Sequence, residues 1–168
     1  MPKIIENLPQ RLAEEARRQI EESGFSAMTI RSVAKGCGVG VGTVYNYYPS
    51  KEALVATFML ADWNDCVASI EACAADAPSL EPVLKTICEK IRMFMEQYDP
   101  IFRDESAAIS YTGAMSKYHG ILRSQLATPI RKFCQDNFTA EFIAEALLTW
   151  TVAGKNFDEL KSILLRIN

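Results

Sequence analysis

The side chains best suited to bind another molecule lie close together in residues 42–51, GTVYNYYPSK. They offer hydroxyl groups, one amide and one ammonium group, but no nucleophile paired with a base. Hydroxyl and amide groups can hydrogen-bond to the edges of nucleic-acid bases, and an ammonium group can bind a phosphate. The segment therefore favours binding of a polyanion over catalysis.

Two short helices joined by a glycine turn would position these groups. Thr29 is a good N-cap for a helix over Ile30–Cys37, Gly38 can take the positive φ of a turn, and Gly40 can begin a second helix over Val41–Tyr48. The apolar residues recur where two crossing helices would face each other: Ile30, Val33, Cys37, Val39 and Val44. This pattern is typical of a helix-turn-helix, whose second helix enters the major groove of DNA.

Each exposed residue of such a motif has an expected role. Gly42 lets the helix backbone approach the groove, and Thr43 offers a hydroxyl and a methyl group to a base edge. Tyr47 and Lys51 are expected to hold phosphates, as are Thr29 and the N–H groups that follow it, whereas Val44 and Tyr48 should face inward. The predicted DNA-binding set is Thr29, Arg31, Val41, Gly42, Thr43, Tyr45, Asn46, Tyr47 and Lys51. Outside this pattern, Tyr47 and Lys51 would be read as solvated surface, and Arg31 is of a type that surface helices carry anyway.

The remaining sequence predicts an all-α fold of about nine helices, because no window sustains the alternation of a strand. The Asp-Ala-Pro-Ser run at 76–79 and the Tyr-Asp-Pro run at 98–100 are expected breaks. The expected helices are Leu8–Ser23, Ile30–Cys37, Val41–Tyr48, one starting at Lys51, Leu80–Gln97, Ile101–Tyr111, Ser116–Phe138 with an interruption before Pro129, one from Thr139 to Gly154, and Phe157–Ile167.

Two domains are predicted, a DNA-binding domain over 1–50 and a helical body over 51–168. No linker separates them, because the long helix from Lys51 belongs to both. The net charge of −3 is uneven: residues 1–55 hold seven Lys/Arg against six Glu, or +1, which leaves −4 for the rest. A near-neutral end on an acidic body suits a protein that presents one end to phosphate.

Several function classes are disfavoured. The five cysteines form no CxxC pair and only His119 could add an imidazole, so no metal site or cofactor is expected, and an enzyme is the weaker hypothesis. The glycines at 36, 38, 40 and 42 match neither GxGxxG nor a phosphate loop. No signal-like N-terminus or apolar run of about 18 residues occurs, which predicts a cytoplasmic protein without a membrane span.

The segment resembles the TetR family of bacterial transcription regulators. The resemblance lies in Thr29, Val33-Ala34 and Gly38-Val39, and above all in GTVYNYY at 42–48 followed by SKEAL at 50–54. It implies a homodimeric repressor that leaves a pseudo-palindromic operator when a small molecule binds its helical body. Two positions depart from the family pattern. Gly40 stands where a capping Ser is common, and Val41 replaces a frequent polar or basic residue, which favours thymine-methyl contacts.

In that architecture the helices of the body enclose an effector pocket. The expected pocket residues are Trp63, Cys66, Phe94, Tyr98, Tyr111, Tyr118, His119 and Leu122. The alternative for each is plain core packing, and for His119 a structural hydrogen bond.

The last two helices are expected to pair with a second copy. The predicted interface residues are Phe142, Leu147, Trp150, Phe157, Leu160 and Leu164. They would otherwise close the core of the single chain. The alternative function is a helical ligand-binding or protein-interaction module without specific DNA binding.

Overall fold

A computed structural model describes residues 7–167, and it describes their side chains outside 108–118. The described backbone contains helices and no strand, which confirms the all-α prediction. Its nine helices are α1 Leu8–Ser23, α2 Ile30–Cys37, α3 Val41–Tyr45, α4 Lys51–Asp76, α5 Leu80–Gln97, α6 Asp99–Phe102, α7 Glu105–Arg131, α8 Asn137–Val152 and α9 Phe157–Leu164.

The ends of α2 lie where local chemistry predicts them. Thr29 is extended, with φ −133° and ψ 155°, and its side chain caps the helix. Gly38 takes a left-handed conformation, with φ 68° and ψ 32°. The N–H of Val39 then reaches the carbonyl of Ala34 at 2.9 Å, and the N–H of Gly38 reaches that of Lys35 at 3.1 Å. This pair of bonds is a Schellman motif, and it turns the chain sharply into α3.

The second helix of the motif is shorter than predicted. It ends at Tyr45, not at Tyr48. The N–H of Tyr47 donates to the carbonyl of Val44 at 3.0 Å, which tightens the last turn. Pro49 then disfavours a helical conformation for the residue before it.

The predicted helices Ile101–Tyr111 and Ser116–Phe138 are wrong. A four-residue α6 is followed by one helix, α7, that continues through Gly113 and Pro129. A single glycine costs a helix only about 1 kcal/mol, which a long packed helix tolerates. Pro129 lies in the last turn, where it removes one hydrogen bond, so the helix continues to Arg131.

The cap of α8 also differs from the prediction. Asp136, not Thr139, is the N-cap, and its carboxylate accepts from the backbone N–H of Thr139 at 2.8 Å and from its hydroxyl at 2.7 Å. Asn156 caps α9 as expected, but α9 ends at Leu164 and not at Ile167.

Contacts divide the chain into two compact units. The first contains residues 1–61 and 98–112, and the second contains 62–97 and 113–168. The predicted boundary lay at 50/51, whereas the first unit includes α4 as far as Ala61 and also takes in α6. Each unit has its own core. Fully buried residues of the first include Leu12, Phe25, Met28, Val33, Val44 and Leu54; those of the second include Leu84, Ile87, Leu126, Ile130, Ile143 and Leu147.

Within the described residues, α4 is the one helix long and apolar enough to cross a membrane by length and composition. It also carries Asp62 and Asp65 near its middle, and charged groups are costly inside a bilayer. Leu54, Phe58 and Ile70 of the same helix are buried in the protein. These features are those of a core helix, so the length criterion is weak evidence for a span.

Candidate nucleic-acid interface

Helix α3 has an inner side that anchors it and an outer side that faces solvent. Val44 is fully buried, and buried Tyr48 donates its hydroxyl to the carbonyl of Pro9 at 3.1 Å, as the inward prediction requires. Thr43 is half-buried. The exposed residues are Val41, Gly42, Tyr45, Asn46 and Tyr47, with 52% and 49% of the two tyrosines accessible. Large polar-tipped side chains therefore project from a helix fixed from behind.

The position of α2 is fixed by a hydrogen-bond network at its N-terminus. The Thr29 hydroxyl accepts from the Ser32 N–H at 3.0 Å, and the Ser32 hydroxyl accepts from the Thr29 N–H at 3.0 Å. The Ser32 hydroxyl also donates to Gln19 Oε1 of α1 at 2.6 Å. Thr29 is exposed, and the N–H groups of Ile30 and Arg31 point out of the helix without a helical acceptor. This end of α2 is therefore exposed and has N–H groups for an anion, and phosphate binding there stays a prediction.

Lys51 lies differently from the prediction. Its ammonium group donates to the carbonyl of Phe25 and stands 3.9 Å from the centre of that ring. Burial lowers the pKa of Lys51. A phosphate would have to share or replace these contacts. Arg31 and Lys35, by contrast, are exposed on α2.

Ser26 and Asp104, which the sequence analysis did not single out, are hydrogen-bonded to each other within the same unit. Asp104 accepts from the Ser26 N–H at 3.1 Å and from its hydroxyl at 2.5 Å. It also accepts from the Ser106 hydroxyl at 2.5 Å and from the Ala107 N–H at 3.2 Å. Hydrogen bonds from Ser106, and then from Ser26, hold the pKa of Asp104 far below its ordinary value. The local signal was an Asp before a helix; nothing local indicates a partner 78 residues away.

The described members of the predicted effector-pocket set are divided between the two units. Trp63, Phe94 and Leu122 belong to the core of the second unit, where the Trp63 indole N–H donates to Gln125 Oε1 at 2.8 Å. Tyr98 instead belongs to the first unit and stacks on Phe58, with ring centres 6.2 Å apart. The side chains of Tyr111 and Tyr118 lie outside those described.

The remaining candidates, His119 and Cys66, have different surroundings from each other. His119 Nε2 lies 2.9 Å from Glu145 Oε1, which matches the structural alternative. Cys66 lines an open depression of about 310 Å³. The other lining residues are Asp62, Asp65, Ser69, Lys90 and Gln97. This depression is open to solvent and has a mostly polar lining, whereas most of the expected pocket residues are aromatic.

Four of the six predicted interface residues are buried inside the single chain. These are Leu147, Phe157, Leu160 and Leu164. Trp150 is half-buried and donates its indole N–H to the carbonyl of Asn156 at 2.8 Å. Phe142 is 50% exposed and stacks on Phe138, which is 78% exposed. The exposed apolar surface of α8 is therefore narrower than the predicted set.

All five cysteines are unpaired, and burial raises the pKa of the Cys37, Cys66, Cys88 and Cys134 thiols, which keeps them protonated. Among the described residues, no three His, Cys, Asp or Glu side chains come together as a metal site.

Comparison with known proteins finds a family match for the N-terminal region. Residues 12–57 match the model of the family described as bacterial regulatory proteins, tetR family. The HTH-type transcriptional regulator UidR of Escherichia coli K12 is 33% identical over 58 residues, which is 34% of this chain. The chain spans 30% of the length of the curated relatives it matches.

Solved structures extend the likeness to the whole fold. A TetR/AcrR-family regulator from Thermobifida fusca has a TM-score of 0.56 at 16% identity, covering 95% of this chain and 94% of its own. FadR from Bacillus subtilis, solved with stearoyl-CoA, has a TM-score of 0.52 at 17% identity, covering 94% and 96%. At such identities the likeness shows the fold: an N-terminal helix-turn-helix followed by a helical body.

Proposed function

We propose that this chain, which belongs to the TetR family through its N-terminal domain, is a cytoplasmic, homodimeric transcriptional regulator that a small-molecule effector releases from its operator. The family consists of transcriptional regulators and not of enzymes. The observation that carries the proposal is the exposed face of α3. Helix α2, which is capped by Thr29 and ended by the turn at Gly38, holds α3 in place, and both helices lie inside the matched segment.

The geometry supports docking of α3 in the major groove. Gly42 is exposed, and a Cβ added there would meet no atom within 4 Å, so the helix presents bare backbone at this point. The N-terminus of α2 and the tyrosine hydroxyls are placed to hold the flanking phosphates. Two copies related by a two-fold axis would read half-sites about 34–36 Å apart or multiples of that distance.

The exposed face of α8 supports pairing with a second copy. Phe138, Phe142, Glu145, Thr149 and Val152 follow one another at spacings of four and three residues, as in a helix-packing seam. Phe138, Phe142 and Val152 are exposed large apolar residues. We therefore propose that this stripe forms the interface between the two copies. Of the six interface residues predicted from the sequence, Phe142 is the one that belongs to it.

The second unit is the proposed effector-binding body. Its core contains Trp63 with Phe94 packed edge-on at 5.4 Å, so a ligand there would enter between aromatic side chains. Stearoyl-CoA, which the FadR neighbour binds, is the first probe for a thermal-shift screen. The expected result is that a ligand which raises Tm also lowers operator affinity.

DNA binding is tested by selecting bound sequences from a random duplex pool and titrating the best one by fluorescence anisotropy. We expect the selected duplex to bind at least about 1,000-fold tighter than random duplex, with affinity falling steeply as salt rises. Equal affinity for both duplexes would overturn the proposal.

Gly42→Leu provides the site-directed arm. Gly42 is exposed and a Cβ there meets no atom within 4 Å, so the fold should persist while the larger side chain holds the helix out of the groove. Gly120→Leu is the matched control, because Gly120 is exposed on α7 with equally open space. Normal operator affinity of Gly42→Leu would refute the docking geometry.

Dimerisation is tested by sedimentation. Phe142→Glu should convert dimer to monomer, because it places a charge on the exposed apolar stripe. Met93→Glu is the control, since Met93 is 58% exposed on α5. A dimer that survives Phe142→Glu would place the interface elsewhere.

A further inference from the structure

The recognition segment has an unusual electrostatic property. Residues 36–50, which run from the end of α2 to the start of α4, contain no Lys, Arg, Asp or Glu. The exposed side chains of α3 and of the two residues that follow it are therefore one aliphatic, one amide and two phenol groups, with the half-buried Thr43 beside them. Any base readout by this helix has to use uncharged groups.

The major groove assigns different side chains to different bases. Guanine is read by Arg or Lys, and cytosine by Asp or Glu, through O6/N7 and the N4 amino group respectively. Adenine is read by Asn or Gln through N6 and N7, and the thymine methyl by apolar groups. Helix α3 and its C-cap carry an amide and apolar groups for the second pair of bases and lack the charged side chains that read the first pair; the Thr43 hydroxyl can bond to either.

The exposed groups lie close enough together to contact neighbouring base pairs at the same time. Val41 is the first residue of α3 and Asn46 is its C-cap, and both are exposed. Five helical residues span only about 7.5 Å, less than the roughly 12 Å width of the major groove. Both ends of the helix can therefore face base edges at once.

The cationic side chains closest in sequence lie outside α3. Arg31 and Lys35 are on α2, and the ammonium group of Lys51 is bonded to the carbonyl of Phe25. A guanine contact would then come from α2, at the flank of the half-site, and not from α3.

We propose that α3 reads A·T base pairs, with Asn46 hydrogen-bonded to an adenine and Val41 and Thr43 in contact with thymine methyl groups. The proposal deepens the function proposed above and depends on it. It predicts that the base pairs contacted by α3 in each half-site are A·T, and that any G·C preference lies at the flanking positions reached by Arg31 or Lys35 of α2.

The test uses the full-length protein and repeats the random-duplex selection with three variants. Positions whose preference relaxes in Asn46→Ala or Val41→Ala are those that α3 reads, and Arg31→Ala marks the flank. We expect the positions assigned to α3 to be A·T pairs. We expect any guanine in the half-site to lie at the position whose preference is lost in Arg31→Ala. Asn46→Ala should weaken binding about 5- to 150-fold and abolish discrimination at its own base pair.

A chemical arm isolates the methyl groups. Replacing thymine by deoxyuridine in the selected operator removes only the C5 methyl group. The wild-type protein should bind the substituted operator more weakly than the original one. Val41→Ala should bind the two operators equally when the methyl group that Val41 contacts is the one removed, because both changes remove the same contact. Equal losses in both proteins would overturn the methyl contact.

The two proposals fail differently. A specific operator whose α3 positions are G·C would overturn the A·T inference and leave DNA-binding regulation intact. Absence of any selected sequence would overturn both. Circular dichroism melting of each variant shows that affinity changes do not come from unfolding.

Discussion

The two units place their predicted functional residues in opposite ways. In the first, the outward side chains of α3 stand on a frame whose inner residues, such as Val44, are fully buried. In the second, residues predicted to bind an effector or a second copy, such as Trp63 and Leu147, are themselves core. Apolar and aromatic residues at helical spacing fill a core by default, whereas exposed residues on a helix fixed from behind have no packing role and indicate binding.

The largest expected effect tests whether Leu147 is core. Leu147→Ala should lower the free energy of unfolding by about 2–5 kcal/mol, because the side chain is fully buried and a cavity would remain. Phe142→Ala, on the same helix but half exposed, should change it by roughly 0.5 kcal/mol or less at concentrations where the protein is monomeric. Urea unfolding measures both, and equal losses would remove the distinction between core and surface in α8.

The next effect tests the frame of the first unit. Thr29→Ala removes the hydroxyl that accepts from the Ser32 N–H, so the free energy of unfolding should fall by about 1 kcal/mol. Thr29→Ser keeps the acceptor and should stay close to wild type. Urea titration followed by circular dichroism gives both values. If Thr29→Ala is as stable as Thr29→Ser, the cap does not hold α2.

A smaller effect concerns the acid sensitivity that Asp104 confers. Its pKa is depressed in the folded state, so its stabilising contribution is complete above the unfolded value, near 3.8, and is lost as pH falls below it towards the folded pKa. Asp104→Asn should destabilise the protein at neutral pH and flatten the decline of Tm below about pH 4. Melting curves from pH 2 to 7 measure this. An unchanged acid limb in Asp104→Asn would show that Asp104 does not link the two segments of the first unit.

The smallest effect concerns the start of α3. Gly40 is an extended N-cap without a side-chain bond, and a Cβ there would lie 3.7 Å from the Thr43 hydroxyl, an ordinary contact. Gly40→Ser should therefore stabilise the protein by a few tenths of a kcal/mol, about the difference between Gly and Ser as caps. Gly40→Ala is the control and should be slightly destabilising. A loss of stability in Gly40→Ser would mean that its hydroxyl does not reach the α3 N–H groups.

Local chemistry explains which parts of the fold the sequence predicts. The bounds of α1 and α2 were correct because caps such as Thr29 and Gly38 act within a few residues. The break expected at Gly113 did not occur, because one glycine is too weak a signal to end a packed helix.

The candidate interface shows the same limit. The inward position of Tyr48 follows from helical spacing. The contact of Lys51 with Phe25 joins residues 26 apart, and that of Ser26 with Asp104 joins residues 78 apart. Such pairs depend on how the helices pack, so no short-range pattern indicates them.

The first unit is assembled from two separate stretches of chain, and this affects how the protein is made. Tyr98 stacks on Phe58 and Asp104 bonds to Ser26, so Phe58 and Ser26 lack these partners until the second stretch of the unit has been synthesised. The candidate DNA-binding segment is therefore expected to complete these contacts late in translation, although it begins the chain. If the proposed function holds, a nascent polypeptide should become competent to bind an operator only after residues 98–104 have left the ribosome.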